Sequence, residues 1–481
     1  MKRFFNYAIN LLPYIFIFIS SLYIPTDPDL GWHLKYGEYF FKYHKILQDN
    51  IFSSTMTNYH WANGSWGTDL ITYTIFIWGG FTGLIIASAL IVVLTFYFFA
   101  KAAKFDLTEK LLFFPLIAYL EAGINSVSFR GQQISLLFFG VLIFLLCKYR
   151  YPSKGLWLIP LLFLFWSNLQ IESFLGLGVL AIWIAVELYT QHKSIDKLER
   201  NHILLILFAS FLVTFINPFG WNIHLVALSH IGDPLVQKID EYMPFAIYSV
   251  HWWNQILSII LLFFAAVTVL FKKQFKAHAS LLTVSLILLI LAFFVKRYAW
   301  PSLYLLFPIL NILWQVVEKY VRKFSFMLAL DVTILTLAFI IYIKIPFTQF
   351  MTVSWDQTCS MRVVPCSSQS ADFLIKHKLT SHIFTYYDWG GWLIWNYPQI
   401  KPSIDGRMHV WRDNQGYSAS EEYDKYLNAQ LDIDKSKYAV VYIPLDRSLP
   451  LYKELSTLAQ KGKWKLVFDD GNSGVIVRQH Q

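Results

Sequence analysis

The chain has 481 residues, of which 56% are hydrophobic, 18% aromatic and only 15% charged. A soluble domain carries nearer a quarter charged residues, and the apolar residues here come in runs that can cross a hydrocarbon core, which takes about 20 helical residues, so the composition excludes an ordinary soluble globule. The formal net charge of +9 does not mark a nucleic-acid binder, because Lys and Arg gather in short clusters between apolar runs, the arrangement that orients a membrane protein.

Lys2 and Arg3 precede an apolar run over 7–25. No small-residue cleavage site follows Ser20 and Ser21, so the run is read as a retained first span. Further spans are expected near 80–100, 110–126, 133–147, 156–171, 174–190, 202–216, 253–271, 279–295, 300–316 and 326–344, about eleven in all. Alternate connections are rich in basic residues: Lys101/Lys104/Lys110, Lys148/Arg150/Lys154, Lys193/Lys197/Arg200, Lys272/Lys273/Lys276 and Lys319/Arg322/Lys323. The other set has few, among them Lys35, Lys42, Lys45, Arg130, Lys238, Lys296 and Arg297. By the positive-inside rule the first set is cytoplasmic. The loops 26–79, 217–252 and 295–299, and everything after about 345, then face outward.

In the first outer loop, Trp32, Tyr36, Tyr39, Phe40 and Tyr43 recur at helical spacing, which suits a helix lying among lipid headgroups. A second short helix is expected from about Ser65 to Gly79-Gly80. After residue 345 polar and turn residues return. Strands are expected at 382–387, 438–443, 464–468 and 474–479, helices near 368–378, 420–430 and 449–461, and a hairpin turn at 469–474. Strands alternating with helices suggest a small α/β domain. Cys359 and Cys366 are read as a disulfide outside the cytoplasm, with two free thiols as the alternative. The expected architecture is an α-helical polytopic membrane domain, 1–345, with an extracytoplasmic α/β domain, 346–481.

The feature with most chemistry is Asp27-Pro28-Asp29 directly after the first span. Two close carboxylates can hold a divalent metal, or one can act as general base while the other tunes it. Both can equally cap a helix N-terminus. The segment "DPDLGWHLKYGEYFFKYHKI" resembles the first outer loop of the GT-C membrane glycosyltransferases, with a D-x-D…W-H-L-x-x-G form found in bacterial members. The resemblance extends to "NGSWGTDLI" (63–71), where an acidic Glu is more usual at Trp66-Gly67. It also takes in "WSNLQ" (166–170), where many relatives have His in place of Gln170, "NPFGW" (217–221) and "YDWGGWLIW…IDGR" (387–407). It implies a polyprenyl-phosphate-linked sugar as donor, inversion at the sugar, Asp27 and Asp29 as catalytic residues, and Mg or Mn between them as a possible metal. A glycan, lipid or protein would be the acceptor, and the bacterial cytoplasmic membrane the location.

Basic residues facing the same side are candidates for the donor phosphate: Arg130 at the head of "RGQQ" and Arg297 at a span end, with His33 and Lys35 in the first loop. Arg forks suit phosphate oxygens; snorkelling at the interface is the alternative, and it is the reading given to Lys296. Glu172 reads as part of a wet loop. Glu121 sits inside a span, where it faces a cavity or a structural partner. Glu241 in "IDEYMP" is an acceptor candidate or a solvated loop residue. "TYYDWGGWLIWNYP" (385–398) loosely resembles the W-W-D-x-G motif that grips acceptor peptide in oligosaccharyltransferases, with Tyr386 and Tyr387 in place of the tryptophans. Asp388, Trp389, Asp405 and Arg407 are therefore candidates for sugar or acceptor binding. The structural account is a turn at Asp405-Gly406 with Arg407 paired to Asp388. No P-loop, dinucleotide fingerprint or zinc spacing occurs. Two other functions compete: an oligosaccharyltransferase-like enzyme acting on protein, and a non-catalytic transporter or glycan-assembly partner.

Overall fold

The computed structural model describes residues 2–121, 129–149, 153–192, 194–344 and 353–479. The chain forms two compact units. One comprises Met1–Tyr23, Ile85–Trp221 and Gln237–Gln349; the other comprises Ile24–Leu84, Asn222–Val236 and Phe350–Gln481. The expected boundary at 345/346 and the end of the expected span 110–126 lie outside the described residues.

Among the described residues five helices are long and apolar enough to cross a membrane: Trp66–Ala103, Gly131–Lys148, Ser173–Thr190, Val250–Phe271 and Phe275–Phe294. A sixth arises if Lys296–Tyr304 and Leu306–Glu318, bent by 40°, form one span. Shorter apolar helices are Ile9–Ser20, Lys154–Leu169 and Met327–Ala338. The chain is a multi-pass membrane protein. Trp66–Ala103 is broken at Gly80, whose φ of 58° and ψ of −150° only glycine adopts readily, so the short helix expected to end at Gly79-Gly80 does so.

The first unit is a helical bundle around packed aromatic rings, with Phe99 stacked 5.2 Å from Tyr304 and Phe96 edge-on to Phe114 at 5.1 Å. Several of its interior polar groups find partners, which lowers the cost of burying them. Trp166 Nε1 donates to Ser135 Oγ at 3.0 Å, and Asn254 Nδ2 donates to the Leu120 carbonyl at 3.0 Å. Glu121, for which a cavity was one reading, accepts a hydrogen bond from the Tyr304 hydroxyl.

The second unit holds a four-stranded sheet: β1 (Ile383–Thr385), β2 (Val440–Pro444), β3 (Trp464–Asp469) and β4 (Ser473–Arg478), in the order β1-β2-β4-β3. β1 and β2 are parallel, and the remaining pairs antiparallel. Period-two alternation divides β2 between two layers. Val440 and Tyr442 pack with Leu374, Trp389 and Trp392, while Val441 and Ile443 pack with Leu451, Leu455 and Trp464. The helices Ser368–Lys376, Ala419–Leu427 and Pro450–Gln460 lie where the sequence places them. Ser367 and Ser418 cap the first two by accepting from Ser370 N and Glu421 N, and Pro450 opens the third. Cys359 and Cys366 form a disulfide, with Cα atoms 5.1 Å apart.

The helix Leu30–Tyr43 belongs to this same unit. Its aromatic stripe does not lie wholly among headgroups as expected. Trp32 and Tyr36 are buried with Trp61, Ile404, Met408 and Trp411, and only Phe41 and Tyr43 are well exposed. The reason is that the apolar side chains of Trp61, Ile404, Met408 and Trp411 cover them, so that this face of the helix is withdrawn from water by the protein itself.

Candidate functional site

The acidic turn of the second unit forms because Pro25 and Pro28 prevent continuation of a helix. Asp27 is buried, and its Oδ1 accepts from the Asp29 amide at 3.0 Å, an Asx turn. Asp29 occupies the N-cap position of Leu30–Tyr43, yet its carboxylate makes no capping hydrogen bond. The capping account therefore fits the side chain of Asp27 and not that of Asp29. Glycines let the turn seat. A Cβ at Gly406 would lie 2.0 Å from Asp29 Oδ1, and one at Gly391 would lie 2.3 Å from the Pro28 carbonyl oxygen. A Cβ at Gly31 would lie 1.9 Å from the Gly391 oxygen. The segments 387–391 and 405–407 thus meet the acidic turn through glycine.

One helical turn after Asp29, His33 Nδ1 lies 2.6 Å from Asp69 Oδ1. Asn63 Nδ2 and Ser65 Oγ donate to the same carboxylate at 2.6 and 3.1 Å. Burial works against the imidazolium, but the Asp69 carboxylate outweighs it and raises the His33 pKa above its ordinary value. Lys35, the other loop candidate, pairs with Glu38 at 2.5 Å on its own helix.

Asp388 is half-buried. Burial pushes its carboxyl up, with Arg362 opposing. Arg407 does not pair with it, contrary to expectation. Arg407 Nε and Nη2 lie 2.7 and 2.8 Å from the two oxygens of Asp405, both side chains being buried, and Nη2 also donates to Asn50 Oδ1 at 3.1 Å and Ser53 Oγ at 3.0 Å. The guanidinium lies between the rings of Phe52, Trp61 and Trp411, 5.0–5.4 Å from each centre. A turn of two residues brings Asp405 and Arg407 together more readily than a partner on another segment. Burial works against the Asp405 carboxylate, but Arg407 and Ser53 hold its pKa below the ordinary range. Trp389 is fully buried against Tyr442, its ring centre 4.5 Å away. Asp405, Arg407 and Trp389 therefore support the site from behind.

Asp69, Arg362 and Tyr387 are not among the candidate site residues of the sequence, although Tyr387 stands at a tryptophan position of the W-W-D-x-G likeness. Asp69 stands within the quoted segment 63–71, two positions after the place where an acid was sought. Arg362 is the only cation between the two disulfide cysteines. Tyr387 is a half-buried phenol whose pKa burial raises well above its ordinary value, with Asp29, Asp388 and Asp405 adding to the rise. Segment 222–236 is fastened to the loop after Gly406 by Asp233–Arg412 (3.0 Å) and by His230 Nε2–His409 Nε2 (2.9 Å).

The first unit gathers the remaining candidates. Glu241 bridges Arg130 and Arg297, the latter at 2.8 Å, and accepts from Gln132 Nε2 at 3.0 Å. Arg297 also holds Glu172 at 2.5 Å, so Glu172 stands in the expected turn between Leu158–Leu169 and Ser173–Thr190 and is in addition an ion-pair partner. Burial pushes the Glu241 carboxyl up, but Arg130 and Arg297 prevail and hold its pKa down to about 2. Lys296 pairs with Asp240 at 2.6 Å, which replaces the snorkelling account.

Among the described residues no three His, Cys, Asp or Glu side chains gather into a metal-binding group. Asp27 and Asp29 offer two carboxylates, a set that suits a divalent ion taking the rest of its shell from water and substrate phosphate.

No protein-family model and no curated protein sequence matches the chain. Solved structures do. The archaeal oligosaccharyltransferase AglB from Archaeoglobus fulgidus, in complex with an inhibitory peptide and a dolichol-phosphate, aligns with a TM-score of 0.60 at 9% identity, over 93% of this chain and 70% of that one. The apo form of the Archaeoglobus fulgidus oligosaccharyltransferase gives 0.57 at 10% identity, over 92% and 70%. The same enzyme tethered by a disulfide bond to an acceptor peptide containing the NVT sequon gives 0.62 at 11% identity, over 100% and 74%. At such identities the likeness is one of fold alone, shared with these archaeal oligosaccharyltransferase structures.

Proposed function

We propose that this chain is a GT-C membrane glycosyltransferase that moves a sugar from a polyprenyl-phosphate donor to an acceptor outside the cytoplasm, inverting the anomeric centre. The observation that carries the reading is the seat of Asp29, a half-buried carboxylate that opens the helix Leu30–Tyr43 and lies against Gly406, in a chain whose fold is similar to that of a dolichol-phosphate-bound oligosaccharyltransferase. Asp29 is the base and Asp27 fixes the turn that presents it. The acceptor hydroxyl gives its proton to Asp29 as its oxygen attacks the anomeric carbon. The bond from that carbon to the donor oxygen breaks, and the electron pair leaves on the lipid phosphate. His33, its charge favoured by Asp69, offers a cation to that phosphate. A divalent ion, if used, is held by Asp27 and Asp29 and neutralises phosphate charge.

The dolichol-phosphate in one structural neighbour supports the donor class. In the first unit, a phosphate at Arg130 and Arg297 would have to displace the Glu241 carboxylate, and Glu241 is then no acceptor ligand. Of the acceptor candidates Asp388 retains exposure. About eleven spans with the second unit outside the bacterial cytoplasmic membrane complete the reading. Transfer to protein is a second reading, favoured by the NVT-sequon peptide in another neighbour.

The test is sugar transfer by the purified full chain from polyprenyl-phosphate-linked sugars, with glycan, lipid and sequon-peptide acceptors. Asp29→Asn is expected to lower kcat by about 1,000-fold or more, as loss of a general base does. Full activity in both Asp29→Asn and Asp27→Asn removes the proposed base. Donor binding without transfer to any acceptor selects the non-catalytic reading.

A further inference from the structure

The acidic turn and the Asp388 segment are joined by one side chain outside both. Arg362 Nη2 donates to the Asp27 carbonyl at 3.0 Å, and Nη1 donates to the Asp388 carbonyl at 3.2 Å. The guanidinium also lies within electrostatic reach of the Asp27, Asp388 and Asp29 carboxylates. Arg suits this task because its planar fork spans two acceptors at once, which a Lys ammonium cannot do in fixed geometry.

The tip of the loop that delivers Arg362 is open to solvent, while its flanks are fastened by the Met361 amide on the Gln357 carbonyl at 3.2 Å and by Val364 against the core. Met361 and Val363 on either side are 57% and 99% exposed, whereas Arg362 is 8% exposed. A side chain with four rotatable bonds and exposed neighbours loses much entropy on being fixed. What closes this loop is the disulfide: Cys359 is buried in the core of the sheet unit, Cys366 is the other end, and the Arg362 amide donates to the Cys359 carbonyl at 3.2 Å. Arg362 Nη1 also lies 3.9 Å from Cys366 Sγ.

We propose that Arg362 is a positioning residue that clamps the Asp27–Asp29 turn to the Asp388 segment, and that the Cys359–Cys366 crosslink is the device that holds the clamp. The clamp acts through Asp29, so its effect on transfer rests on the function proposed above. Its effect on the turn does not. A guanidinium fixed on two backbone carbonyls sets where the acidic turn stands, and hence how the Asp29 carboxylate meets an acceptor. A clamp of this kind alters kcat and leaves donor affinity nearly unchanged.

Two measurements on the full chain in detergent or nanodiscs test this. The first is amide hydrogen exchange in Arg362→Ala, Arg362→Lys and the double variant Cys359→Ala/Cys366→Ala. Exchange over 26–31 and 386–391 is expected to quicken by about tenfold or more in Arg362→Ala and in the double variant, with β2 and β4 unchanged. Arg362→Lys is expected to fall between Arg362→Ala and the native protein. The second is transfer kinetics. Arg362→Ala is expected to lower kcat about 100-fold while the donor KM moves less than about threefold. Unchanged exchange over 26–31 in Arg362→Ala and the double variant overturns the clamp. So does a rise in donor KM with kcat intact, which would make Arg362 a phosphate ligand, and so does uniform quickening that includes β2 and β4, which would make it a general fold-stabilising residue. Quickened exchange confined to the two segments, in a protein that transfers no sugar, supports the clamp and sinks the proposed function.

Discussion

Asp29 and Gly406 show how a residue without a side chain governs one with a charge. A Cβ at position 406 falls on the Asp29 carboxylate itself, 2.0 and 2.6 Å from its two oxygens, inside any real contact distance. Gly406→Ala is expected to leave the sheet unit folded and to lower transfer at least about tenfold, because small misplacements of a reacting group cost orders of magnitude in rate. Circular dichroism and kcat measured together check this. Glu241 gives a prediction in pH. Its folded pKa of about 2 lies below the ordinary carboxyl value. A group depressed on folding adds stability above its unfolded pKa and loses it as pH falls through the folded one. The ion pairs with Arg130 and Arg297 therefore contribute on the order of 3 kcal/mol at neutral pH, declining from about pH 4.5 toward 2. The melting temperature of the native protein is expected to fall more between pH 5 and pH 3 than that of Glu241→Gln. Equal falls would mean that the arginines do not hold this carboxyl.

At the scale of elements, the segment after Asp405 is held by an internal ion pair that carries a measurable cost when broken. Leaving one partner of a buried pair uncompensated costs about 3–5 kcal/mol, whereas replacing both with apolar residues costs less. Asp405→Ala is expected to lower thermal stability more than Asp405→Ala/Arg407→Met does, and the reverse order would show that the Arg407 bonds to Asn50 and Ser53 outweigh its pairing with Asp405. This pair also marks where sequence reading stops. The strands, the three helices of the sheet unit and the hairpin at 469–474 could be read in advance, because alternation, serine caps and turn residues are local signals. The sequence suggests Asp388 as the partner of Arg407 and hides Asp405, two residues away, because spacing reports which residues are near in sequence and not which way each faces. Trp32 and Tyr36 were read at a lipid surface for the same reason: an aromatic stripe states that a face is apolar without naming what covers it. Asp69 and Arg362 reach the acidic turn only through tertiary packing, and no periodicity announces either.

For the whole molecule, the basic clusters predict orientation and the fold does not. In a Cys147→Ser background, Arg447→Cys is expected to react with a membrane-impermeant maleimide in intact cells, and Lys273→Cys only after permeabilisation; both positions are exposed. The opposite pattern would put the second unit, and Asp29 with it, in the cytoplasm. That unit is assembled from three separated stretches, Ile24–Leu84, Asn222–Val236 and Phe350–Gln481, and its fourth strand pairs with both the second and the third. A ribosome adding about 5–20 residues per second releases the first stretch roughly 20–80 s before that strand appears. Through most of that interval Trp32, Tyr36 and Trp61 wait without Ile404, Met408 and Trp411 to cover them. The newborn chain must therefore shelter its earliest extramembrane segment, by chaperone or by lipid, until translation is almost over.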